Sequence, residues 1–305
     1  MKNTLKNSLR ILAMLLVVGA TVPANAALKV LATTPDWGAL TQELGGERVN
    51  VYVATTALQD VHRVEAKPSL VARARSADLV VATGAELEIG WLPVLIQESG
   101  NSRIQPGGVG YFEASSALHL LEVPNKLDRA MGDIHPLGNP HVQLDPHNIA
   151  AVAQALSARL TQLEPAQAAF YAARAKDFDA RWAEAIKRWE TQAAPLKGAQ
   201  VVIMHRDQAY LCHWLGLTEV ASIEPKPGVP PTAAYLGQLV GKLTNAPPKL
   251  ILLNAYNDPK AASWLSERVH APAVVLPFSV GGSAGAKDLF GLFDDTLNKL
   301  LAANK

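Results

Sequence analysis

The hydrophobic positions of the chain form short apolar runs that alternate with stretches of helical spacing. In the first half the runs cover residues 28–34, 49–55 and 79–84. In the second half they cover residues 200–205, 219–223, 250–254 and 273–278. Continuous apolar runs of this length, separated by helices, are typical of strands buried in a parallel sheet. The pattern predicts an α/β fold of two lobes, each with a mostly parallel sheet flanked by helices.

The strongest helical signal lies between the two sets of runs. Asp145 and Pro146 supply a helix cap and a first-turn proline, and this helix is expected to end near Leu163. Residues 166–193 then contain no glycine or proline, and a helix of that length extends about 42 Å. We predict one long rigid helix that joins the lobes, with a long surface helix as the alternative. The predicted divisions are an N-terminal lobe (27–163), a linking helix (164–197) and a C-terminal lobe (198–305).

The first 26 residues have the pattern of a secretory signal peptide. Three basic residues precede an apolar run of residues 11–20, and Ala24-Asn25-Ala26 forms a small-x-small cleavage pattern. The apolar run is shorter than the roughly 20 residues that cross a bilayer, which disfavours the alternative of a membrane anchor. We therefore expect the mature protein to comprise residues 27–305 and to be periplasmic.

Charge and cysteine content narrow the possible partners. Without the signal peptide, 25 of the 28 basic side chains remain against 27 acidic ones, a net charge of −2. This balance offers no electrostatic case for binding nucleic acid or an anionic membrane. The single cysteine, Cys212, lies in an apolar stretch far from the cleavage site, so we expect a buried inert thiol, no disulfide and no lipid attachment. We expect a monomer with no stable membrane insertion after signal removal.

Three of the eight histidines lie where a parallel sheet places its ligands. His62 is in the loop after the run 49–55, His141 shortly precedes the helix at Pro146, and His205 ends the run 200–205. Because ligands bind at the carboxyl ends of strands, a metal held by these side chains would lie in the cleft between the lobes. Imidazole is a common zinc ligand, but no short metal signature such as H-E-x-x-H is present. At each position a surface or hydrogen-bonded histidine is therefore the alternative.

The other histidines carry weaker signals. His135 lies in the loop that leads to His141, where it could capture a metal transiently, although a solvated loop residue is the preferred interpretation. His119 and His213 lie in apolar stretches and are expected to be structural. His147 and His270 lie at a helix start and in a turn, and neither is predicted to bind metal.

Three segments carry a resemblance to a known family. They are Asp60-Val61-His62, the run Gly138-Asn139-Pro140-His141-Val142-Gln143-Leu144-Asp145-Pro146, and Met204-His205. With them the chain resembles the zinc/manganese class of periplasmic solute-binding proteins of ABC transporters, and the resemblance extends over the whole mature chain. It implies that His62, His141 and His205 are metal ligands. It also implies that the ion is passed to the membrane permease of a metal ABC importer, and that the protein is not an enzyme.

The chain departs from this family at the fourth metal ligand, which is usually an aspartate after the last core strand. The matching segment, residues 276–282, has no carboxylate, and the later Asp288 is expected to cap a helix. A water, Asp60 or Glu224 are the candidates for this position. An open fourth position is also found in catalytic zinc sites, so a zinc hydrolase stays an alternative, as does a periplasmic zinc buffer.

The ligand set favours zinc over manganese. Imidazole nitrogen suits zinc, whereas manganese prefers oxygen ligands, and manganese members of the class tend to have a carboxylate where His205 stands. Because a protonated imidazole cannot bind a metal, binding is expected to weaken below about pH 6. The sequence therefore predicts periplasmic capture of zinc, or less favourably manganese, and its delivery to an importer.

Overall fold

The computed structural model describes residues 26–125 and 135–304, so the predicted signal peptide, apart from Ala26, lies outside the described residues. The strands and α-helices of the described ranges are, in chain order, β1 (Leu28–Ala32), α1 (Pro35–Gly45), β2 (Val49–Val53), α2 (Pro68–Ser76), β3 (Leu79–Ala82), α3 (Leu92–Ser99), β4 (Tyr111–Glu113), α4 (Pro146–Leu163), α5 (Ala168–Ala193), β5 (Gln200–Ile203), α6 (Ala209–Leu215), β6 (Thr218–Ser222), α7 (Ala233–Leu243), β7 (Leu250–Asn254), α8 (Lys260–Val269), β8 (Ala273–Leu276) and α9 (Leu289–Ala303).

The strands form two four-stranded sheets, and every pairing is parallel. The strand orders are β2-β1-β3-β4 and β6-β5-β7-β8. The predicted α/β fold of two parallel lobes with a long helix between them is therefore confirmed. Strand β4 was not predicted, because only Phe112 of its three residues is buried and no continuous apolar run marks it. It lies at the edge of its sheet, where one side chain is enough to anchor a short strand.

Helix α5 is the long helix between the lobes. Its 26 residues extend about 39 Å, and it begins at Ala168 because Pro165–Gln167 form a preceding 3-10 turn. It packs against α1 and α4 of the first lobe and against α9 of the second. Helix α4 begins as predicted, since the Asp145 side chain accepts the His147 N–H at 2.9 Å. A single helix therefore contributes to the cores of both lobes.

The buried face of α5 is aromatic. Its Trp182 and Trp189 are at most 1% exposed, and their ring centroids lie 5.0 Å apart. Phe290 and Phe293 of α9 pack against them, with centroid distances of 4.8 Å to Trp182 and 4.9 Å to Trp189, respectively. The Trp182 indole N–H donates to the Pro146 carbonyl at 2.8 Å. These contacts fix the ends of α4 and α9 to one another through α5.

The helices and the single thiol can be compared with the predictions made from the sequence. No helix in the described ranges combines the length and apolar character that crossing a bilayer requires. The thiol of Cys212 is buried, and burial raises its pKa to about 12. At neutral pH it therefore stays protonated and unreactive, as predicted.

Candidate metal centre

The three histidines predicted to bind metal lie together at the seam of the two lobes. His62 follows β2, His205 follows β5, and His141 directly precedes the 3-10 turn that leads to α4. The ring centroids of His62 and His141 are 5.3 Å apart. Those of His205 lie 6.1 Å from His62 and 5.8 Å from His141. The fold thus places imidazoles from distant parts of the chain around one small volume.

A fourth histidine, His135, lies in the same cluster. Its Nε2 is 3.2 Å from the Nε2 of His62, and its ring centroid is 6.2 Å from that of His141. One ring nitrogen each from His62, His135 and His141 lie within 4.8 Å of one another. His135 is half-buried rather than a solvated loop residue, and burial, followed by the charge of His62, lowers its pKa to about 4. Its position in a short polar loop predicted a solvated residue instead of a member of the cluster.

Carboxylates hold the outer nitrogen of two of these rings. An Asp60 oxygen lies 2.8 Å from Nδ1 of His62, and a Glu224 oxygen lies 2.7 Å from Nδ1 of His205. A carboxylate at Nδ1 fixes the ring so that Nε2 presents its lone pair to a metal. Asp60 and Glu224, which the sequence left open as fourth ligands, therefore contact the imidazoles of His62 and His205 on their Nδ1 side. Asp288 caps α9 by accepting the Gly291 N–H at 2.8 Å, as expected.

The pKa of His205 reflects this arrangement. Burial alone lowers it, but the hydrogen bond to Glu224 and the negative charge of Asp207 raise the pKa to about 9. The side chain of Asp207 is fully buried and accepts the Tyr256 hydroxyl at 2.5 Å. The ring therefore carries a proton at neutral pH, which a metal has to displace, and the same negative charges then stabilise the bound cation.

His141 has the opposite environment. Burial, followed by the charge of His62, lowers its pKa well below the usual value, so the ring is neutral at pH 7. Its Nε2 is buried and has no hydrogen-bond partner among the described residues. A buried polar atom without a partner costs free energy, on the order of 1–3 kcal/mol, and calls for an explanation such as a bound ion.

The Gly-Asn-Pro-His run attaches His141 to the second lobe. The Asn139 side chain accepts the His141 N–H at 3.0 Å and donates to the Arg206 carbonyl at 2.7 Å. The Tyr210 hydroxyl donates to the Asn139 carbonyl at 2.8 Å. The Asn139 side chain therefore orients the backbone at His141 and links it to the second lobe.

Phe278 lies in the segment where the resemblance implies an aspartate. It lies two residues beyond β8, its backbone has a φ of 63°, and its ring centroid is 5.8 Å from that of His141. A positive φ is rare for a bulky side chain. The next residues secure this loop across the seam, since Ser279 and the Val280 N–H donate to the buried Asp36 carboxylate at 2.7 and 3.0 Å. An apolar ring is thus held against His141.

Space around the cluster is limited. A cavity of about 20 Å³ adjoins His62, His141 and Phe278, which is room for about one water molecule. A more open cleft of about 90 Å³ borders His62, His205 and Glu224. The site therefore has room for an ion and its entry, and not for a large organic substrate.

Two parallel α/β lobes, a long helix between them and a histidine cluster at their seam define the class of metal-binding solute-binding proteins of ABC transporters. Over residues 30–303 the chain matches the family described as ZnuA, zinc-uptake complex component A, periplasmic, and it belongs to this family. The resemblance inferred from the sequence segments is confirmed.

The proteins similar in sequence include some named for zinc and some named for manganese. The high-affinity zinc uptake system protein ZnuA of Paracoccus denitrificans (strain Pd 1222) is 23% identical, with 91% of each chain covered. The protein of the same name from Bacillus subtilis (strain 168) is 22% identical, covering 86% of this chain and 81% of its own. The manganese ABC transporter substrate-binding lipoprotein scaA of Streptococcus gordonii is 24% identical over 50% of this chain. The match spans about half (47%) of that streptococcal relative's length.

Solved structures share the fold. A structure described as the crystal structure of ZnuA has a TM-score of 0.77 at 20% identity, covering 92% of this chain and all of that one. The Cd-bound periplasmic metal binding protein from Candidatus Liberibacter asiaticus has a TM-score of 0.74 at 17% identity, covering 90% of this chain and 99% of its own. At these identities the likeness supports the two-lobe architecture alone.

Proposed function

We propose that this protein binds zinc in the periplasm through His62, His141 and His205 and delivers it to the membrane permease of a metal ABC importer. The observation that carries the proposal is the buried, neutral Nε2 of His141, which has no hydrogen-bond partner among the described residues. The rings of His62 and His205 surround it at centroid distances of 5.3 and 5.8 Å. Membership of a family described by zinc uptake supports the same conclusion.

The ligand chemistry supports zinc rather than manganese as the cargo. Imidazole nitrogens suit zinc, whereas manganese is bound best by oxygen ligands in an octahedral arrangement. The two carboxylates nearest the cluster, Asp60 and Glu224, contact Nδ1 atoms instead of facing the shared volume. Phe278 adds an apolar ring where an oxygen ligand is usual in the family.

Release is proposed to depend on the ligand-bearing loops rather than on a wide hinge between the lobes. Helix α5 packs against α1 and α4 on one side and α9 on the other, which resists separation of the lobes. The hydrogen bonds from Ser279 to Asp36 and from Tyr210 to the Asn139 carbonyl also cross the seam. A small displacement of the loop carrying His62 would remove a ligand without disturbing these contacts.

The alternative of a zinc hydrolase finds less support. A hydrolase needs a general base beside the metal and a pocket for substrate. The nearest carboxylates hold ring nitrogens, and the cavity next to the histidines accommodates about one water molecule. We therefore propose that the protein is a binding protein and not an enzyme.

The test of this function starts from the purified mature chain. We expect one zinc per protein in a competition titration against a chelator, and an affinity for manganese at least about 100-fold weaker. A variant lacking all three imidazoles, H62A/H141A/H205A, should bind neither ion tightly. A wild-type protein that binds no zinc would overturn the proposal.

A growth experiment separates transport from buffering. A strain that lacks this gene should grow poorly when zinc is chelated, and the wild-type gene but not the triple variant should restore growth. Normal zinc uptake in the deletion strain would favour the periplasmic buffer instead.

The carboxylate behind His205 is expected to tune affinity. Glu224→Gln keeps the shape of the side chain that contacts His205 at 2.7 Å but removes its charge, so the ring becomes a weaker donor to the metal. Loss of such a partner typically lowers metal affinity by about 10–100-fold, and we expect the lower end because an amide oxygen can still accept the Nδ1–H. Competition titration measures the change. Glu267→Gln, at an exposed position on α8, is the matched control and should leave the affinity unaltered.

A further inference from the structure

We infer that His135 is the fourth zinc ligand, so that the protein holds its cargo in a closed site of four imidazoles. The inference rests on the proposed function, because it assigns the coordination of the zinc ion proposed above. It departs from the three-histidine arrangement that the sequence predicted, in which the fourth position was left to a water or a carboxylate.

The first support is the distance between His135 and His62. Four nitrogens placed tetrahedrally at 2.0–2.1 Å from zinc lie about 3.3–3.4 Å from one another. The Nε2 atoms of His62 and His135 are 3.2 Å apart, which is close to that edge. Since Asp60 accepts the Nδ1–H of His62, the Nε2 of His62 carries a lone pair. The Nε2–H of His135 donates to that lone pair. A zinc ion can replace that shared proton and bind both nitrogens.

The second support is the position of His135 relative to His141. One nitrogen from each of His62, His135 and His141 fall within 4.8 Å of one another, and the Nε2 of His141 has no hydrogen-bond partner in the described ranges. The ring that carries the unpartnered nitrogen therefore lies beside His135. A hydrogen-bonded pair of His62 and His135 alone leaves that nitrogen unexplained.

The third support is what replaces the family's carboxylate. Phe278 places an apolar ring at 5.8 Å from His141 and offers no donor to a metal. The net charge that a carboxylate ligand would supply comes instead from Asp60 and Glu224 behind the rings. These two carboxylates balance the double positive charge of zinc while leaving the inner ligands neutral.

A closed nitrogen site has a consequence for selectivity. Zinc accepts four ligands in a tetrahedron without penalty, whereas manganese favours six oxygen ligands. Filling the fourth position with His135 leaves no place for a water or carboxylate oxygen on the metal. The structure thus assigns discrimination against manganese to His135 and Phe278.

The experiment compares the wild-type mature protein with His135→Ala and with His119→Ala, an exposed histidine earlier in the chain that serves as the matched control. X-ray absorption at the zinc edge should report four imidazoles in the wild type and in H119A, and three imidazoles with one oxygen in H135A. Chelator competition should show an affinity loss of about 100-fold or more for H135A, because loss of an inner ligand exceeds the roughly 10–100-fold cost of losing an outer partner. Circular dichroism of the zinc-free proteins checks that all three are folded.

A second variant keeps the inference testable if H135A is hard to interpret. The double variant H135A/F278D places a carboxylate near His141, and aspartate tolerates a positive φ better than phenylalanine. It should regain zinc affinity and narrow the preference for zinc over manganese. Zinc bound by the wild type with three imidazoles, or an unchanged affinity in H135A, would overturn the inference and leave the proposed function intact. Failure of the wild type to bind zinc would overturn both.

Discussion

Replacing Trp182 with alanine is expected to lower the free energy of unfolding by about 3–5 kcal/mol. The indole is 1% exposed, packs against Trp189, Phe290 and Phe293, and donates to the Pro146 carbonyl. Its removal leaves a cavity beside a helix that packs against both α1 and α9, and it also removes the hydrogen bond to the Pro146 carbonyl.

Urea denaturation followed by circular dichroism measures this change. The control is Trp264→Ala, since Trp264 lies half-buried on α8 and stacks under Arg268 at 3.8 Å, so its loss should cost clearly less. A loss of under 1 kcal/mol in the Trp182 variant would contradict the view that α5 ties the two lobes together. Separate unfolding transitions for the two lobes in the wild type would contradict it as well.

The pattern of the chain predicted the fold because most elements carry their own signal. Strand β3 is apolar at every position and β7 at every position but its last, and α4 has both its cap and its first-turn proline in the sequence. Strand β4 carries no such signal, because its pairing with β3 is set by tertiary contacts rather than by its own three residues.

The site was less fully predictable. His62 and His205 follow strands, and His141 lies in the most specific motif, so the strand-end rule and the family resemblance could locate them. His135 has no local signal apart from its place in the segment that ends at His141. Its burial depends on the approach of the His62 loop, which lies 73 residues away in sequence. A pattern of neighbours along the chain cannot contain that information.

The absence of the usual aspartate, by contrast, was visible in the sequence, but its consequence was not. The sequence left a water, Asp60 or Glu224 as candidates. The structure turns both carboxylates toward Nδ1 atoms and places the Phe278 ring against His141. These orientations are set by the backbone conformation of each loop. The positive φ of Phe278 is one example, and a phenylalanine in the sequence gives no sign of it.

His141→Ala should reduce zinc affinity by at least about 1,000-fold, which corresponds to about 4 kcal/mol. His141 is 4% exposed and lies within 6.2 Å, between ring centroids, of the other three imidazoles, so its loss opens the centre of the site to water. The comparison is with His147→Ala, an exposed histidine that pairs with Glu190 at 3.0 Å and should keep wild-type affinity.

The same substitution should have little effect on the zinc-free protein. The group removed is a buried nitrogen without a hydrogen-bond partner among the described residues, and burying such an atom already costs the folded state free energy. Loss of the ring's packing against Phe278 offsets that gain, so we expect the free energy of unfolding to change by less than about 1 kcal/mol. An unchanged zinc affinity would exclude His141 as a ligand. A large loss of stability in the zinc-free protein would show instead that the ring supports the fold. A side chain whose role is metal binding can be removed from the zinc-free protein with little loss of stability.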